Sequence, residues 1–417
     1  MTQAVAPVEE LVAWSVEVED PGDLLSWLPD GEAFAFLRGN DGIVGWGVAA
    51  RLPTSRSARS GDQIAAEVET LLGAMTVRDD VMMPGTGAVA IASLVFDPAD
   101  SGSVVVVPKV VLGRREGRSW LTLVTPPGTV AVPQLRRRPA AAAVPVDAHV
   151  TTRLPAEAAW ADAVAAAVDE LRAGHLDKVV LARALDVTAA GDVDPRVIAT
   201  RLAQRFPSCF TYVCDGLVGA SPELLVRRTG RQAESLVLAG SVRRGSSPEE
   251  DAELERQLLG SVKDRHEHRL ALESVREVLA PVAVDLACDA EPQLVRLANI
   301  SHLGSHVQAW LPDPPPSAIR LAAALHPTAA VGGVPAPAAL EMIRQLESAP
   351  RGRYAGPIGW VDARGDGEFA IALRCAQLDG SRARVWAGAG IVAESDPEAE
   401  VAETTAKLEA ALGALLG

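Results

Sequence analysis

The stretch SVKDRHEHRLALESVREVL, residues 261–279, is predicted to form a helix, and ionisable side chains crowd its first two turns. Asp264 and Glu267 lie three residues apart, so a helix places both carboxylates on one face. His266 and His268 are only two apart, so they cannot share a metal ion, and HEH is not the HExxH pattern of zinc proteases. The stretch therefore predicts a helix that presents a pair of carboxylates.

The last predicted helix, residues 396–416, carries a second pair of carboxylates. Glu400 and Glu403 are three residues apart, and Lys407 lies nearly in line with Glu400. A different stripe of this helix is expected to face the core, and it consists of Val401, Leu408, Leu412 and Leu415. Two such helices can hold Mg²⁺, which prefers one or two carboxylates together with water and substrate oxygens. The alternative is that both pairs are solvated surface charges.

Ionisable residues also interrupt segments that otherwise look apolar. Lys178 opens the strand-like segment DKVVLARALDV, where it is either an edge lysine that reaches water or a buried amine with a lowered pKa. Glu223 follows a small-residue turn, and it is either an exposed turn carboxylate or a functional group. Arg374 interrupts the strand-like FAIALRCAQL, whereas an isolated histidine such as His302 is usually structural.

Composition excludes several classes of function. The chain has 417 residues, 48% of them hydrophobic, and a formal net charge of −15. Nucleic acids and anionic membranes bind basic surfaces, so neither is expected as a partner. The amino terminus lacks a secretory signal, and no uninterrupted apolar segment could span a membrane. Four cysteines without CxxC spacing argue against zinc or disulfides, so we expect a cytoplasmic protein.

The order of predicted elements leaves the number of domains open. Residues 1 to about 125 consist of short strands with one helix capped near Ser60, and a Pro- and Ala-rich connector follows at about 125–150. Helices and strands then alternate to the end. A capping box, Ser247 to Glu250, starts a long helix that is expected to continue through residues 261–279. The chain is either two or three domains or one large unit.

Nine motifs occur together and in order, and they are DKVVLAR, GASPELL, LAGSVRRG, KDRHEH, SHLGSHV, LHPTAAVGGVP, RGRYAGPIGW, EFAIALRCA and WAGAGIVAESDPEAEVAETTAKL. This set resembles the chorismate-utilising enzymes, a family that includes isochorismate, salicylate, anthranilate and aminodeoxychorismate synthases. The resemblance is loose over residues 1–140, the N-terminal part of the fold, and dense over 150–417, the chorismate-binding catalytic region. It implies an α+β fold: one large unit with two orthogonally packed β-sheets flanked by outer helices.

The resemblance also implies a role for each candidate residue. Glu267 and Glu403 match direct Mg²⁺ ligands, and Asp264 and Glu400 match carboxylates that reach the metal mainly through water. The groups around the enolpyruvyl carboxylate would be Tyr354, Arg374 and the Gly388–Gly390 backbone. The groups near the ring and its carboxylate would be Gly240, Ser241, Lys407 and His302. Chorismate is a dianion, so an acidic protein needs such a local positive centre to bind it.

The resemblance implies that family members that add water carry a lysine at the position of Lys178, whereas members that use ammonia lack it. Lys178 would act as the general base toward water, and Glu223 as the acid toward the departing 4-hydroxyl. We therefore expect a Mg²⁺-dependent isochorismate synthase of menaquinone or siderophore biosynthesis that needs no glutaminase subunit. Salicylate synthase is the first alternative, and Ala330 with Val331 argues against it because salicylate synthases tend to carry a hydroxyl residue at the first position.

Three further alternatives come from other classes. The chain could be an anthranilate or aminodeoxychorismate synthase component I, which the presence of Lys178 disfavours. It could be a non-catalytic chorismate-binding homologue, which the retention of both Lys178 and Glu223 disfavours. Without the resemblance, a carboxylate-rich Mg²⁺ hydrolase would compete, and it would not turn over chorismate.

Overall fold

A computed structural model of the protein describes residues 11–52, 59–128, 137 and 148–416. The strands of this part are β1 Val12–Val18, β2 Ala33–Arg38, β3 Asp41–Arg51, β4 Thr76–Asp79, β5 Val89–Ser93, β6 Val104–Arg115, β7 Arg118–Thr125, β8 His149–Leu154, β9 Lys178–Thr188, β10 Phe210–Cys214, β11 Leu217–Ser221, β12 Leu224–Thr229, β13 Gln232–Arg243, β14 Asp285–Cys288, β15 Gln293–Arg296, β16 Ile300–Trp310, β17 Gly333–Val334, β18 Pro357–Asp362, β19 Gly367–Ile371, β20 Cys375–Asp379 and β21 Arg382–Ile391. The α-helices are α1 Gly61–Gly73, α2 Glu157–Arg172, α3 Pro195–Arg205, α4 Pro248–Gly260, α5 Val262–Leu279, α6 Ala318–Leu325, α7 Ala336–Leu346 and α8 Pro397–Leu416.

The strands form two long runs that share β6. One edge of β6 pairs with β3, and the first run continues through β2, β10, β11, β20 and β21 to β9. The other edge of β6 pairs with β7 and with β5, from which the second run continues through β18, β19, β12 and β13 to β16. Apart from the parallel β1–β4 pair, these pairings are antiparallel. The mixed fold of strands and helices expected from the sequence is thus present. Because β6 belongs to both runs, all 21 described strands are joined by hydrogen bonds, and the division into two orthogonally packed sheets stays a prediction.

The chain crosses between the two runs at two short breaks. β11 belongs to the first run and β12 to the second, and Pro222 and Glu223 connect them. β19 belongs to the second run and β20 to the first, with Ala372–Arg374 between them. The second break divides the segment FAIALRCAQL, which the sequence predicted to be one strand. Both breaks place an ionisable side chain where the ends of the two runs meet.

The helices cover the outer faces of the strands. Ser60 caps α1 in a complete capping box with Gln63, as predicted. α5 packs on β13 and β16, the last strands of the second run, and α8 packs on β21 near the end of the first. Large apolar clusters fill the space between these layers. The two carboxylate-bearing helices are therefore held against opposite walls of one region.

The long helix predicted through residues 261–279 is in fact two helices. Ser261 has an extended backbone, with φ −69° and ψ 118°, and its side chain accepts a hydrogen bond from the Asp264 backbone N–H. It therefore ends α4 and caps α5. The capping box predicted at the start of α4 is only half formed. Ser247 accepts from the Glu250 N–H, but the Glu250 carboxylate accepts from Ser246 instead.

The core face predicted for α8 is only partly correct. Leu408 and Leu415 are buried as expected, but Val401 and Leu412 are only half-buried. Glu400 and Thr404 on the neighbouring stripe are buried instead, because this side of the helix faces β13 and β21.

Most of the connector predicted at about 125–150 lies outside the described residues. All four cysteines are free, in agreement with the expected lack of disulfides. Within the described ranges, none of the helices combines the length and the apolar composition that crossing a membrane requires.

Candidate active site

A single cavity lies where the two strand runs meet, and it gathers most of the predicted site residues. Twelve of the fifteen line it, namely Glu223, Gly240, Ser241, Glu267, His302, Ala330, Tyr354, Arg374, Gly388, Gly390, Glu403 and Lys407. The other three are Lys178, Asp264 and Glu400. They lie directly behind this lining, on β9, α5 and α8. Predicted site residues from eight of the nine motifs thus line one cavity, and Lys178 from the remaining motif lies behind it.

The two carboxylate pairs do not behave as surface charges. Glu267 and Glu400 are buried, with 9% and 1% of their surfaces exposed, and Asp264 and Glu403 are half-buried. The alternative of solvated pairs is therefore wrong. Burying carboxylates is unfavourable unless positive groups compensate them.

Three lysines supply that compensation. The ion pairs are Lys178–Glu267, Lys263–Glu400 and Lys407–Glu403, with nitrogen–oxygen distances of 3.1, 2.5 and 2.5 Å. Ser241 Oγ also donates to Glu403 Oε1 at 2.8 Å. Sequence reasoning gave Lys263 no role, although its position next to Asp264 on a charged helix was a usable signal.

The carboxylates differ strongly in proton affinity. Burial raises the pKa of Glu400, and the neighbouring Glu403 charge adds to that effect. Burial also acts to raise the pKa of Glu403, but Lys407 and Ser241 outweigh it and lower that pKa. Burial and nearby carboxylates raise the pKa of Asp264. The site thus concentrates negative charge that a cation would relieve.

The donor chemistry of this cluster fits Mg²⁺. All four predicted ligands are carboxylates, the oxygen donors that the ion prefers. Glu400 Oε2 is buried and accepts no hydrogen bond, so it has a free lone pair for a ligand. In the described part of the chain, no three His, Cys, Asp or Glu side chains converge closely enough to hold a metal as they stand. Mg²⁺ binding therefore stays a prediction.

Lys178 is a buried amine, not an edge lysine. β9 pairs with β21 on one edge and with β17 and β8 on the other, so Lys178 does not lie on an edge strand. None of Lys178 is exposed, and among the described residues its amino group makes an ion pair with Glu267 but no well-directed hydrogen bond.

Glu223 is also buried, with 4% of its surface exposed, so the reading as an exposed turn carboxylate is wrong. Burial raises its pKa to about 8, against the lowering effects of a backbone hydrogen bond with Leu238 and the charge of Lys178. A carboxyl with that pKa is mostly protonated at neutral pH. Glu223 can therefore donate a proton in the cavity.

Arg374 and His302 form a fixed pair in the same cavity. Arg374 has a left-handed backbone, with φ +50°, at the break where the chain crosses between the strand runs. Its Nη2 donates to His302 Nε2 at 3.0 Å. Burial and the Arg374 charge hold the pKa of His302 well below its usual value, so the imidazole is neutral and accepts this bond. A guanidinium in this position suits a carboxylate ligand.

Glycines let the carboxylates approach the strands. A Cβ on Gly390 would lie 2.0 Å from Glu267 Oε1, so only glycine leaves room for that carboxylate. Gly240 has φ +77° at a β-bulge between Ala239 and Ser241, and a Cβ there would lie 3.0 Å from Asp264 Cβ. The bulge turns Ser241 toward Glu403.

Trp386 is a lining residue that sequence reasoning missed. It stacks on Tyr354 with ring centroids 5.7 Å apart and an interplanar angle of 6°. Trp386, Gly388 and Gly390 alternate along β21 and so point to the same side of the sheet. That period of two was the available signal.

A family model described as "Chorismate binding enzyme" matches residues 6–416. The chain belongs to the chorismate-binding enzyme family. The family and fold class predicted from the motifs are therefore confirmed. Because the match spans nearly the whole chain, it includes the amino-terminal residues whose resemblance was loose.

Named members of the chorismate-binding family match this chain over most of its length. A Mycobacterium tuberculosis protein named "Putative isochorismate synthase MenF" is 40% identical over 368 residues, which cover 85% of this chain and 94% of the relative. A Pseudomonas aeruginosa salicylate biosynthesis isochorismate synthase is 42% identical over 61% of this chain and 54% of its own. The solved structure of MenF, the menaquinone-specific isochorismate synthase from Escherichia coli, is 25% identical, with a TM-score of 0.80 over 100% of this chain and 97% of that chain.

Proposed function

We propose that this protein is an isochorismate synthase, an isomerase that moves a hydroxyl group from C4 to C2 of chorismate. The observation that carries the proposal is the placement of a buried lysine and a protonated glutamate at one cavity, Lys178 and Glu223. Members of the chorismate-binding family with this activity are among the relatives of the chain. The site chemistry and the family therefore support the same reaction.

Two positive regions would hold the substrate dianion. Arg374, fixed by neutral His302, would bind the enolpyruvyl carboxylate, with Tyr354 beside it. The ring carboxylate would lie near Ser241 and Lys407. Mg²⁺ held by Glu267 and Glu403, with Asp264 and Glu400 around it, would supply further positive charge for that carboxylate when bound. The ring is then fixed from both ends, with one face open to each catalytic group.

The proton transfers follow from the states of the two groups. The neutral amine form of Lys178 would take a proton from water at Nζ as the water oxygen forms a bond with C2. The ring double bonds shift, the bond between C4 and its hydroxyl breaks, and Glu223 donates its proton to the departing oxygen. One water enters and one leaves, so substrate and product are isomers. The proton on Lys178 must then return to Glu223, directly or through water, before the next turnover.

Salicylate synthase is the competing function, because it shares this hydration step and then eliminates pyruvate. That elimination requires the enolpyruvyl group to fold over the ring. Ala330 and Val331 line the cavity with small apolar side chains that donate no hydrogen bond from a hydroxyl. We therefore propose that isochorismate leaves intact.

The test is to incubate the purified protein with chorismate and Mg²⁺ at pH 7–8 and to separate the products by chromatography. Isochorismate should accumulate, with little salicylate fluorescence. A sample with EDTA in place of Mg²⁺ is the matched control and should give no turnover. Salicylate and pyruvate forming in equal amounts, without isochorismate, would favour the competing function. No conversion of chorismate would reject both.

Two accompanying expectations belong to the same proposal. Water is the nucleophile, so the protein should act without ammonia or a glutaminase subunit, and added ammonium salts should leave the product unchanged. The cytoplasmic location predicted from the sequence stays a prediction, which cell fractionation would test.

A further inference from the structure

A second cavity lies beside the candidate active site and shares a wall with it. The active-site cavity is narrow, with a volume of about 70 Å³, whereas the neighbour has about 640 Å³. Both are lined by Tyr354 and Trp386, whose stacked rings separate them. We call the larger one the outer cavity. It is bounded by β8, the ends of β9 and β21, and residues 350–354.

One face of β21 runs through both cavities. Side chains two residues apart on a strand point to the same side, and Gly390, Gly388 and Trp386 line the active-site cavity in that order. The same alternation continues with Arg384 and Arg382, which line the outer cavity. The two spaces are therefore successive parts of one groove along the sheet. Its inner end is made of glycine and its outer end of arginine.

Four arginines and two aspartates line the outer cavity. Arg351 and Arg353 form ion pairs with Glu347 and Asp215, and Arg384 is neutralised by Asp186 through contacts of 2.6 and 2.9 Å. The side chain of Arg382, by contrast, is exposed and makes no hydrogen bond or ion pair with any residue that the structure describes, although Asp379 lies opposite it on the neighbouring strand. An unpartnered cation at the outer end of a groove is available to an incoming anion.

We infer that the outer cavity is the vestibule through which the anionic substrate reaches the active site, with Arg382 as its attracting charge. The inference rests on the proposed function, because it takes chorismate, a dicarboxylate dianion, as the incoming ligand. A protein with a net charge of −15 repels a dianion at long range. An unpaired cation at the mouth of the groove offsets that repulsion locally and raises the association rate, an effect that reaches roughly 10–10³-fold in strongly steered systems. The Tyr354–Trp386 stack is the inner wall that the substrate must pass.

The test measures association directly, because electrostatic steering acts on the rate of encounter. The Glu223→Gln variant, which keeps the charge of protonated Glu223, slows turnover so that binding can be followed. Stopped-flow tryptophan fluorescence would give the association rate constant of chorismate in Mg²⁺ buffer. Arg382→Glu is then added to this background.

Arg78→Glu in the same background is the matched control. Arg78 on β4 is also exposed and without a partner among the described residues, and it does not line either cavity. Both substitutions change the net charge equally. Any difference between them therefore reports the position of the charge rather than its total.

At low ionic strength, Arg382→Glu should lower the association rate constant about tenfold relative to Arg78→Glu. The difference should vanish near 0.5 M salt, because the Debye screening length is then only roughly 4 Å. Equal rate constants for the two variants at low salt would overturn the vestibule while leaving the proposed function intact. A wild-type protein that neither binds nor converts chorismate would overturn both.

Discussion

Glu223 and Lys178 are two buried ionisable side chains at one cavity. Burial keeps Glu223 protonated near neutral pH, and no part of Lys178 is exposed. Lys178→Ala and Glu223→Gln should each lower kcat by roughly 10²–10⁴-fold, the usual worth of a general acid or base. Chorismate should still bind, because the carboxylate-binding groups lie elsewhere in the cavity. Steady-state kinetics and equilibrium dialysis would check both effects, with Glu249→Gln on the exposed start of α4 as the control. Near-normal kcat in either variant would contradict its role.

The pKa of Glu223 also predicts two dependences on pH. As the acid, Glu223 must be protonated, so kcat should fall as the pH rises through about 8. The raised pKa also determines whether folding stability rises or falls with pH. The folded-state pKa is raised from 4.5 to about 8, so between these values only the unfolded chain releases the proton, and stability falls with rising pH.

Glu223→Gln removes this effect, so its stability relative to wild type should increase from pH 5 to pH 8. Urea unfolding of both proteins at the two pH values would check the trend. A constant difference across that range would contradict the raised pKa.

The sequence predicted the site residues that belong to a recognised motif, but not those whose role depends on a partner far away in the chain. Lys178, Glu223 and the four carboxylates were identified from the sequence, and the structure brings them together. Their proton affinities could not be read from the chain, because burial and charges from distant segments set them. Lys263 was missed for the same reason, since its partner Glu400 lies 137 residues away.

At the scale of elements, α8 presents its carboxylates because β21 fixes the start of the helix over the cavity. Glu403→Gln should remove a Mg²⁺ ligand and the ion pair with Lys407, so turnover should be lost while the fold persists. Glu409→Gln, on the exposed side of the same helix, is the control and should stay active. A thermal shift gives a readout apart from activity: Mg²⁺ should raise the Tm of wild type and of the control but not of Glu403→Gln. Full activity of that variant would remove the metal assignment.

Most helices and strands were predictable, since hydrophobic periodicity and capping residues act locally. α1 and α8 lie close to their predicted positions. The errors fall where tertiary structure overrides the pattern. Ser261 divides a helix that periodicity predicted to be continuous, and Arg374 divides a predicted strand because the chain crosses between the two runs there. No local signal distinguishes such a crossing from a strand interior.

The whole molecule is tied together by strands from both ends of the chain. β2 pairs with β10, and β5 pairs with β18, so the first 128 residues supply edges that the later residues need. We therefore expect one cooperative unfolding transition in urea, with tryptophan fluorescence and far-ultraviolet circular dichroism changing together. A chain cut to residues 148–417 should not fold, because β10 and β18 would each lose a neighbour. Two separate transitions, or a stable fragment, would instead support the two-domain division that the connector suggested.

The lysine–carboxylate pairs have a consequence for the order in which ligands join the enzyme. Four carboxylates face three lysines and Arg374, so with Lys178 in the neutral form that a base requires, Glu223 protonated and His302 neutral, the site carries one net negative charge. Mg²⁺ would make the site singly positive, and the chorismate dianion would then return it to one net negative charge. Adding the dianion first would instead leave three uncompensated negative charges in a buried space. Binding should therefore be sequential, cation before substrate. Equilibrium dialysis of chorismate against the Glu223→Gln variant should show saturable binding with Mg²⁺ and at least tenfold weaker binding with EDTA, a factor that corresponds to about 1.4 kcal/mol.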